Sequence, residues 1–152
     1  EPQLFHPGDL DYIHSVERIS KLSSVISING GVQLDLMGQE NAESALTRQL
    51  SGIGGQMDFL EGAYRSKGGK GFICINSSRV TKDGERKSNI LATIPGGSTI
   101  SAPRTMIQYV ATEYGIASLS GKTLRERAEA MASIAHPDFR EELMKYAREN
   151  FK

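Results

Sequence analysis

The sequence has 152 residues, and its 18 Lys and Arg balance its 18 Asp and Glu, so the formal net charge is zero. That length predicts one domain, spanning residues 1–152, that can bury about two thirds of its unfolded surface. The balanced charge argues against a general nucleic-acid binder, and no apolar run approaches the ~20 residues that cross a bilayer. The single cysteine excludes an internal disulfide and fits a reducing compartment, so we expect a cytoplasmic protein.

The first third of the chain predicts one short helix and two strands. Residues 1–14 contain two prolines and a glycine, which predicts an irregular lead-in. Residues 15–22 place apolar side chains at helical spacing and predict a helix. Residues 25–28 are mostly β-branched, and residues 32–36 alternate apolar and polar side chains, so both predict strands. Residues 41–50 have no clear pattern.

A glycine loop at residues 51–55 opens the middle of the chain. Residues 56–65 follow it with helical spacing, and Gly68-Gly69 should end that helix. A compact apolar strand is predicted at 72–75, where we expect Cys74 to be a buried, inert thiol. Residues 82–88, built on Asp83-Gly84, predict a polar turn.

The last third predicts strands at 90–94 and 107–111, followed by two helices. Thr123 and Glu126 have the spacing of a capping box, and Pro137 suits the first position of the final helix. Phe139 and Leu143 should lie on the buried side of that helix, together with Phe151 and Tyr146 or Ala147. Short strands mixed with helices predict an α/β fold, with one mostly parallel sheet and helices on both faces.

The charged residues are unevenly placed. Between residues 65 and 87 there are seven bases and two acids. Such a run is typical either of a solvated loop or of a surface that meets a polyanionic ligand, and the sequence leaves both open.

Familiar cofactor motifs are excluded by spacing. The run Gly52-Ile53-Gly54 begins a dinucleotide fingerprint, but Met57 stands where the third glycine is required. Gly121-Lys122-Thr123 resembles the end of a P-loop, but Ile116 replaces its first glycine. The three histidines have no paired metal spacing, so we expect neither a metal nor a bound cofactor.

The glycine loop at 51–55 has two interpretations. Glycines let a ligand approach the main chain, and the free N–H groups at the start of the next helix favour negative charge. The loop could therefore stabilise an oxyanion. A plain tight turn explains the same pattern.

Many segments in order resemble the acetyl-CoA hydrolase/transferase family, which includes the 4-hydroxybutyrate CoA-transferases. The resemblance runs from about Leu4 to Ala147. The matching segments are residues 27–29, 32–39, 51–59, 62–63, 66–70, 94–97, 110–117, 119–122, 127–128 and 134–140. It implies a CoA-transferase-like C-terminal domain. The N-terminal CoA-transferase domain, the start of this domain and the nucleophilic glutamate would all lie upstream, so the isolated chain should be inactive.

The resemblance also implies partners and a chemistry. Coenzyme A would be a substrate, exchanged between a short-chain acyl-CoA and a small carboxylate through a glutamyl-CoA thioester. A homo-oligomer is expected, with no nucleic acid and no membrane. Hydrolysis of acyl-CoA is an alternative within the family. A non-catalytic CoA-binding domain is an alternative from another class.

Candidate catalytic residues follow from the matched positions. The resemblance implies that the Gly54 amide donates to the oxyanion, with Gly52 or Gly55 as alternatives. Asn29 would lie near the acyl group, although it could instead cap the Gly30-Gly31 turn. Gln56 would line the pocket.

Further residues are candidates for binding CoA or for support. Lys70 would contact CoA, unless it is only a surface lysine. Gly96 and Gly97 would lie near the ligand, unless they form a simple strand-ending turn. Glu113 does not match the family nucleophile and is interpreted as structural or supporting, and His136 as a helix cap or packing residue.

Two departures from the family pattern bear on substrate. Gln33 stands where many members carry Glu, and Gly30-Gly31 replaces a pair that is often Ser-Ala. Both positions follow or flank the candidate Asn29, so the acyl substrate of the relatives does not carry over to this chain.

Overall fold

A computed structural model describes residues 7–152, and its helices lie close to the predicted places. Residues 1–6, part of the predicted lead-in, lie outside the described residues. The helices are α1 (Leu10–Ile13), α2 (Val16–Lys21), α3 (Gln56–Arg65), α4 (Leu124–Ser133) and α5 (Pro137–Asn150). The one correction is α1, a single turn within the predicted lead-in, which Asp9 caps by accepting from the Tyr12 amide.

The strands are mostly short. They are β1 (Ile26–Gly30), β2 (Gln33–Asp35), β3 (Glu40–Asn41), β4 (Ser44–Ala45), β5 (Arg48–Gln49), β6 (Lys70–Cys74), β7 (Ser78–Val80), β8 (Arg86–Ser88), β9 (Ile90–Leu91), β10 (Tyr109–Thr112) and β11 (Gly115–Ser118). The predicted turn at Asp83-Gly84 joins β7 to β8, with Gly84 at φ +82°. No pattern predicted β3, β4, β5, β7 or β11, and β8 occupies the last three residues of the predicted turn.

The main sheet has four strands in the order β1-β6-β10-β11. Strand β6 is parallel to both β1 and β10, and β11 returns antiparallel beside β10. The prediction of an α/β fold with mostly parallel, central strands near 72–75 and 107–111 is therefore confirmed. The expectation of a single sheet is wrong, because β3-β2-β9 form a second sheet and β4-β5 and β7-β8 form separate hairpins.

The core lies on one face of the main sheet. Ile73 and Val110 point to that face and are fully buried. Helix α3 packs there so closely that a Cβ on Gly71 would come within 2.9 Å of Leu60. Beyond α4, the Ile134 carbonyl accepts from Thr112 Oγ1 on the same face. Among residues 7–152 the helices thus gather on one side of these four strands, so the expectation of helices on both faces of the sheet is not met.

The opposite face is exposed in this chain, which overturns one prediction. Cys74 is exposed, although a buried thiol was expected. Successive strand residues point to opposite faces. Its neighbours Ile73 and Ile75 therefore enter the core while Cys74 points away from it. An apolar run predicts the strand, but it does not predict whether something covers both sides.

Both C-terminal helices begin as predicted. Thr123 and Glu126 form the complete capping box at the start of α4. Pro137 takes the first turn of α5, and the His136 side chain accepts from the Asp138 amide, which confirms His136 as a helix cap. Within residues 7–152, no helix combines the length and the apolar character that crossing a membrane requires.

Leu143→Ala should destabilise the chain by about 2–5 kcal/mol, because Leu143 is 6% exposed and its truncation leaves a cavity in the core. Its predicted neighbours on α5, Phe139, Tyr146 and Phe151, are only half-buried, while Ala147 is fully buried. Urea denaturation measures the loss, with exposed Lys145→Ala as the control on the same helix. An unchanged midpoint for Leu143→Ala would show that this side of α5 faces solvent.

Candidate active site

A cleft opens where the parallel strands β1, β6 and β10 end. Its volume is about 420 Å³, and its lining residues are Gly31, Cys74, Ile75, Asn76, Ala111, Thr112 and Glu113. Ligands of open α/β sheets bind at this carboxyl edge of the strands. We therefore describe the position of each candidate residue relative to this cleft.

The glycine loop leads directly into the N-terminus of α3. Gly54 is exposed and has φ +58°, a left-handed conformation that favours glycine. Gly55 is the N-cap residue and provides no side-chain cap, so the first-turn amides of α3 are not capped by it. Uncapped N–H groups at a helix N-terminus attract negative charge, which is the property an oxyanion site needs.

His14 packs against this loop. A Cβ on Gly55 would come within 2.2 Å of His14 Cε1, so only glycine permits this close approach. His14 Nδ1 lies 3.3 Å from Asp58 Oδ2 in the first turn of α3. The segment between α1 and α2 thus fixes the position at which the glycine loop enters the helix.

A buried carboxyl group, Glu40, connects the end of β1 with the start of α3. Gln56 Nε2 donates a hydrogen bond to Glu40 Oε2. Glu40 Oε1 has no hydrogen-bond partner among the described residues, and a Cβ on Gly31 would lie only 2.7 Å from it. Gly31, which departs from the family pattern, therefore makes room for the Glu40 side chain.

Burial raises the pKa of Glu40 to about 8, and the hydrogen bond from Gln56 only partly opposes that rise. At neutral pH the Glu40 carboxyl is consequently protonated and neutral in the folded chain. A neutral acid is the form that can stay fully buried without a cationic partner. The link between β1 and α3 is therefore uncharged under ordinary conditions.

The stability of the chain should fall as the pH rises from about 4.5 to about 8, the interval between the ordinary and the folded pKa of Glu40. Over that interval the unfolded chain releases the Glu40 proton while the folded chain keeps it, so ionisation favours unfolding. Above about 8 both states are ionised and the Glu40 contribution to the slope ends.

Glu40→Gln should remove this pH dependence and give the more stable protein at pH 8, because glutamine does not ionise. The gain should be of the order of a few kcal/mol by linkage. Urea denaturation at pH 5 and pH 8 measures it, with exposed Glu149→Gln as the control. Parallel stability profiles for wild type and Glu40→Gln would contradict the buried neutral acid.

Asn29 lies one residue before the end of β1, beside Ile73 of β6. It is half-buried, and its Nδ2 donates to Ser27 Oγ at 2.9 Å. That bond lies within the strand, so the structure gives no support to the alternative in which Asn29 caps the Gly30-Gly31 turn. Asn29, Gly31, Glu40 and Gln56 share the carboxyl edge of β1.

Glu113 contributes a carboxylate to the opposite side of the cleft. Ser77 donates to it twice, from Oγ at 2.6 Å and from the amide at 2.9 Å. Burial raises the pKa of Glu113, but these two hydrogen bonds outweigh it and hold the pKa below its usual range. The carboxylate is thus fixed and ionised, as suits the supporting role predicted for it.

The remaining candidates lie elsewhere. Lys70 is paired with Ile26 at the beginning of β1, three residues along β6 from the edge that carries Asn29. Gly97 has φ +87°, and a Cβ there would lie 2.9 Å from the Thr47 side chain beside the β4-β5 hairpin. The structure therefore does not bring Lys70, Gly96 or Gly97 to the cleft, and their contact with CoA stays a prediction.

The basic run reaches a different cavity. Arg79, Arg86 and Lys87 line an apolar-walled cavity of about 780 Å³, together with Leu46 and Phe139. One of these bases already has an acidic neighbour, because Lys87 Nζ lies 3.2 Å from Glu85 Oε2. Both interpretations of the basic run, solvated surface or polyanion contact, remain open at this hairpin.

The sequence can be placed by comparison with known proteins. A sequence model of the acetyl-CoA hydrolase/transferase C-terminal domain matches residues 3–147, which is nearly the whole chain. The chain belongs to this family. The resemblance seen in the sequence motifs is thereby confirmed.

Known members share both sequence and fold with the chain. It is 46% identical over 138 residues to a butyryl-CoA:acetate CoA-transferase of Anaerostipes caccae, covering 91% of this chain and 31% of that protein. It is 46% identical to a 4-hydroxybutyrate coenzyme A transferase of Clostridium kluyveri, covering 93% and 32%. The chain therefore spans about a third of the length of these relatives.

Two solved structures have the same fold. The 4-hydroxybutyrate CoA-transferase of Porphyromonas gingivalis matches with a TM-score of 0.72 and 41% identity, over 93% of this chain and 30% of that one. RipA from Yersinia pestis matches with a TM-score of 0.80 and 39% identity, over 91% and 30%. The CoA-transferase-like C-terminal fold expected from the motifs is confirmed.

Two groups at the site were not foreseen from the sequence. The sequence around Glu40 has no pattern that indicates burial of this side chain. The partnership of Ser77 with Glu113 joins residues 36 positions apart, which motif spacing cannot reveal. The glycine at position 31 was the one available signal, because it departs from the family pattern where the Glu40 carboxyl needs space.

Proposed function

We propose that this chain forms part of a CoA-transferase that moves CoA between a short-chain acyl-CoA and a small carboxylate such as acetate or 4-hydroxybutyrate. The observation that carries the proposal is the match over nearly the whole chain to the C-terminal domain of proteins named for that reaction. The glycine loop at the N-terminus of α3 supports it as well, since acyl transfer needs an oxyanion site.

The nucleophile in this proposal is a glutamate that precedes residue 1 in the longer protein. Its carboxylate attacks the acyl-CoA carbonyl carbon, and the carbon–sulfur bond breaks to leave an acyl-glutamyl anhydride and CoA thiolate. The thiolate then attacks the glutamyl carbonyl, which releases the first carboxylate and leaves a glutamyl-CoA thioester. The second carboxylate reverses these steps, so no bond is hydrolysed.

The residues of this chain serve those additions by electrostatics and position. Each addition places negative charge on a carbonyl oxygen, and the Gly54 amide with the N-terminus of α3 would donate to it. Asn29 would orient the acyl group from the end of β1, and Gln56 would line the pocket while Glu40 holds its side chain. CoA is a substrate here, and contacts along its length supply binding energy.

Hydrolysis is the second candidate, favoured by similarity to a protein named acetyl-CoA hydrolase from Candida albicans, 30% identical over 135 residues. Water would then attack the glutamyl-CoA thioester in place of the second carboxylate. The two functions differ only in the acceptor, so the same site residues would act in both.

Measuring the products of butyryl-CoA turnover by the longer protein, with and without acetate, separates the two functions. We expect acetyl-CoA and butyrate when acetate is present, and negligible free CoA when acetate is absent. Release of free CoA at the same rate with and without acetate would show that the protein hydrolyses butyryl-CoA instead of transferring its CoA. We also propose a cytoplasmic location, which suits the lone cysteine, and a homo-oligomer. Cell fractionation would test the location, and light scattering would test the oligomeric state.

A further inference from the structure

One face of the main sheet is apolar, and its side chains are exposed or half-buried across all four strands. We call it the open face and define it by Ile26, Ile28, Phe72, Cys74, Tyr109 and Ile116. Ile28 is 68% exposed, Ile116 63% and Ile26 53%. Large aliphatic side chains at these exposures are costly in water, roughly 1.5–3 kcal/mol each relative to burial.

The open face is continuous rather than scattered. Ile28, Phe72 and Tyr109 are direct neighbours across three strands, and the rings of Phe72 and Tyr109 stack at 4.9 Å with a 20° angle between them. Cys74 is the neighbour of Ala111, which in turn pairs with Ile116 on β11. Contiguous apolar patches of this kind mark surfaces that another element covers.

The parallel strands also indicate that another element covers the open face. Parallel sheets occur almost only with both faces covered, because the crossovers between parallel strands place helices on the faces. Among residues 7–152, α3 and the segment after α4 cover only the face of Gly71, Ile73 and Thr112. The main-chain groups of β6 and β10 are already paired in the sheet, so the missing cover must pack through side chains. An amphipathic helix does this.

We propose that the open face is the docking surface for an apolar helix from the part of the longer polypeptide that precedes residue 1. The length of the relatives supports this occupant, since about two thirds of each lies outside the match and the matched part is their C-terminal domain. The inference requires that longer polypeptide but does not depend on its catalytic activity.

The edges of the open face specify the chemistry of that helix. Lys70 stands on the open face beside Ile26 at the beginning of the strands, so an acidic residue of the helix should lie there. At the other end Cys74 and Ala111 line the cleft with Glu113. A helix on the open face therefore forms one wall of the cleft and brings the preceding part of the polypeptide to the candidate active site.

Cys74 provides a direct test because its thiol lies on the open face. The longer protein, free of CoA, is treated with iodoacetamide, and the Cys74 peptide is followed by mass spectrometry. The same protein in urea gives the reference rate. Because Cys74 also borders the cleft, covering by the helix should slow alkylation at least tenfold without abolishing it. Slowing of less than tenfold overturns the proposal.

A second measurement identifies what covers the face. The chain 1–152 by itself should leave Cys74 reactive at a rate within tenfold of the urea reference, at every protein concentration. Protection of Cys74 in 1–152 that increases with concentration would make a second copy the occupant and overturn the helix.

Paired variants of the longer protein complete the test. Ile28→Asp should lower its melting temperature by about 5 °C or more, because it places a charge under the helix. Val80→Asp, at a residue 59% exposed on the β7-β8 hairpin outside the open face, should change it by less than half as much. Equal shifts for the two variants would show that the open face faces water in the longer protein.

Discussion

Gly54→Ala in the longer protein should lower kcat about 10²–10³-fold while CoA binding changes little, the loss typical of a displaced oxyanion donor. Gly54 has φ +58°, and a Cβ there would meet no other atom within 4 Å. The methyl group therefore acts through the backbone alone, by disfavouring the left-handed conformation that aims the amide. Steady-state kinetics with butyryl-CoA and acetate, and calorimetry with CoA, measure the two effects.

Gly52→Ala is the matched control within the same loop. Gly52 also has no neighbour within 4 Å of a Cβ, but its φ lies outside the left-handed region. Its kcat should stay within a few-fold of wild type. A Gly54→Ala protein with wild-type kcat and an unchanged circular dichroism spectrum would move the oxyanion role to another amide. Equal losses in both variants would make the loop's flexibility the cause.

Arg127→Met should destabilise the chain by about 3–5 kcal/mol, because it leaves one buried and two partly buried carbonyl groups without their donor. Arg127 is only 8% exposed on α4. Its guanidinium donates to the carbonyls of Met37 at 2.8 Å, Leu119 at 2.8 Å and Arg104 at 2.7 Å. One side chain thus joins three loops that are far apart in sequence.

Arg125→Met on the same helix is the control for Arg127→Met. Arg125 is exposed and pairs with Glu129 at 3.0 Å, one turn further along α4. Such a surface pair contributes about 0.3–0.5 kcal/mol. Urea denaturation of both variants compares them at one pH. Similar losses would show that the carbonyl contacts of Arg127 contribute no more than a surface ion pair.

The parts of the fold that the sequence predicts are those with a local signal. Helix α3 has the predicted bounds because glycines precede it and apolar residues repeat through it. Helix α4 begins at the predicted capping box. Strands β3, β4 and β5 have two residues each, which is too short for an alternating pattern. Their pairing is decided by contacts that are remote in sequence.

The candidate site likewise has parts that the sequence predicts and parts that it does not. Glycine spacing predicts the loop at 51–55, and the end of β1 brings Asn29 to the same edge of the sheet. The burial of Glu40 depends on contacts of its side chain with Gln56 and Gly31, which are remote in sequence, so a single acidic letter cannot indicate it. The exposure of Cys74 depends on which face of the sheet the helices cover, and no local pattern within the strand indicates that.

The most direct test compares two proteins in one assay, the chain 1–152 and the longer polypeptide, each with butyryl-CoA and acetate. We expect acetyl-CoA formation by the longer protein and none by 1–152, because the proposed nucleophilic glutamate precedes residue 1. Sustained transfer by purified 1–152, lost on Glu113→Gln, would contradict it and place the nucleophile at Glu113.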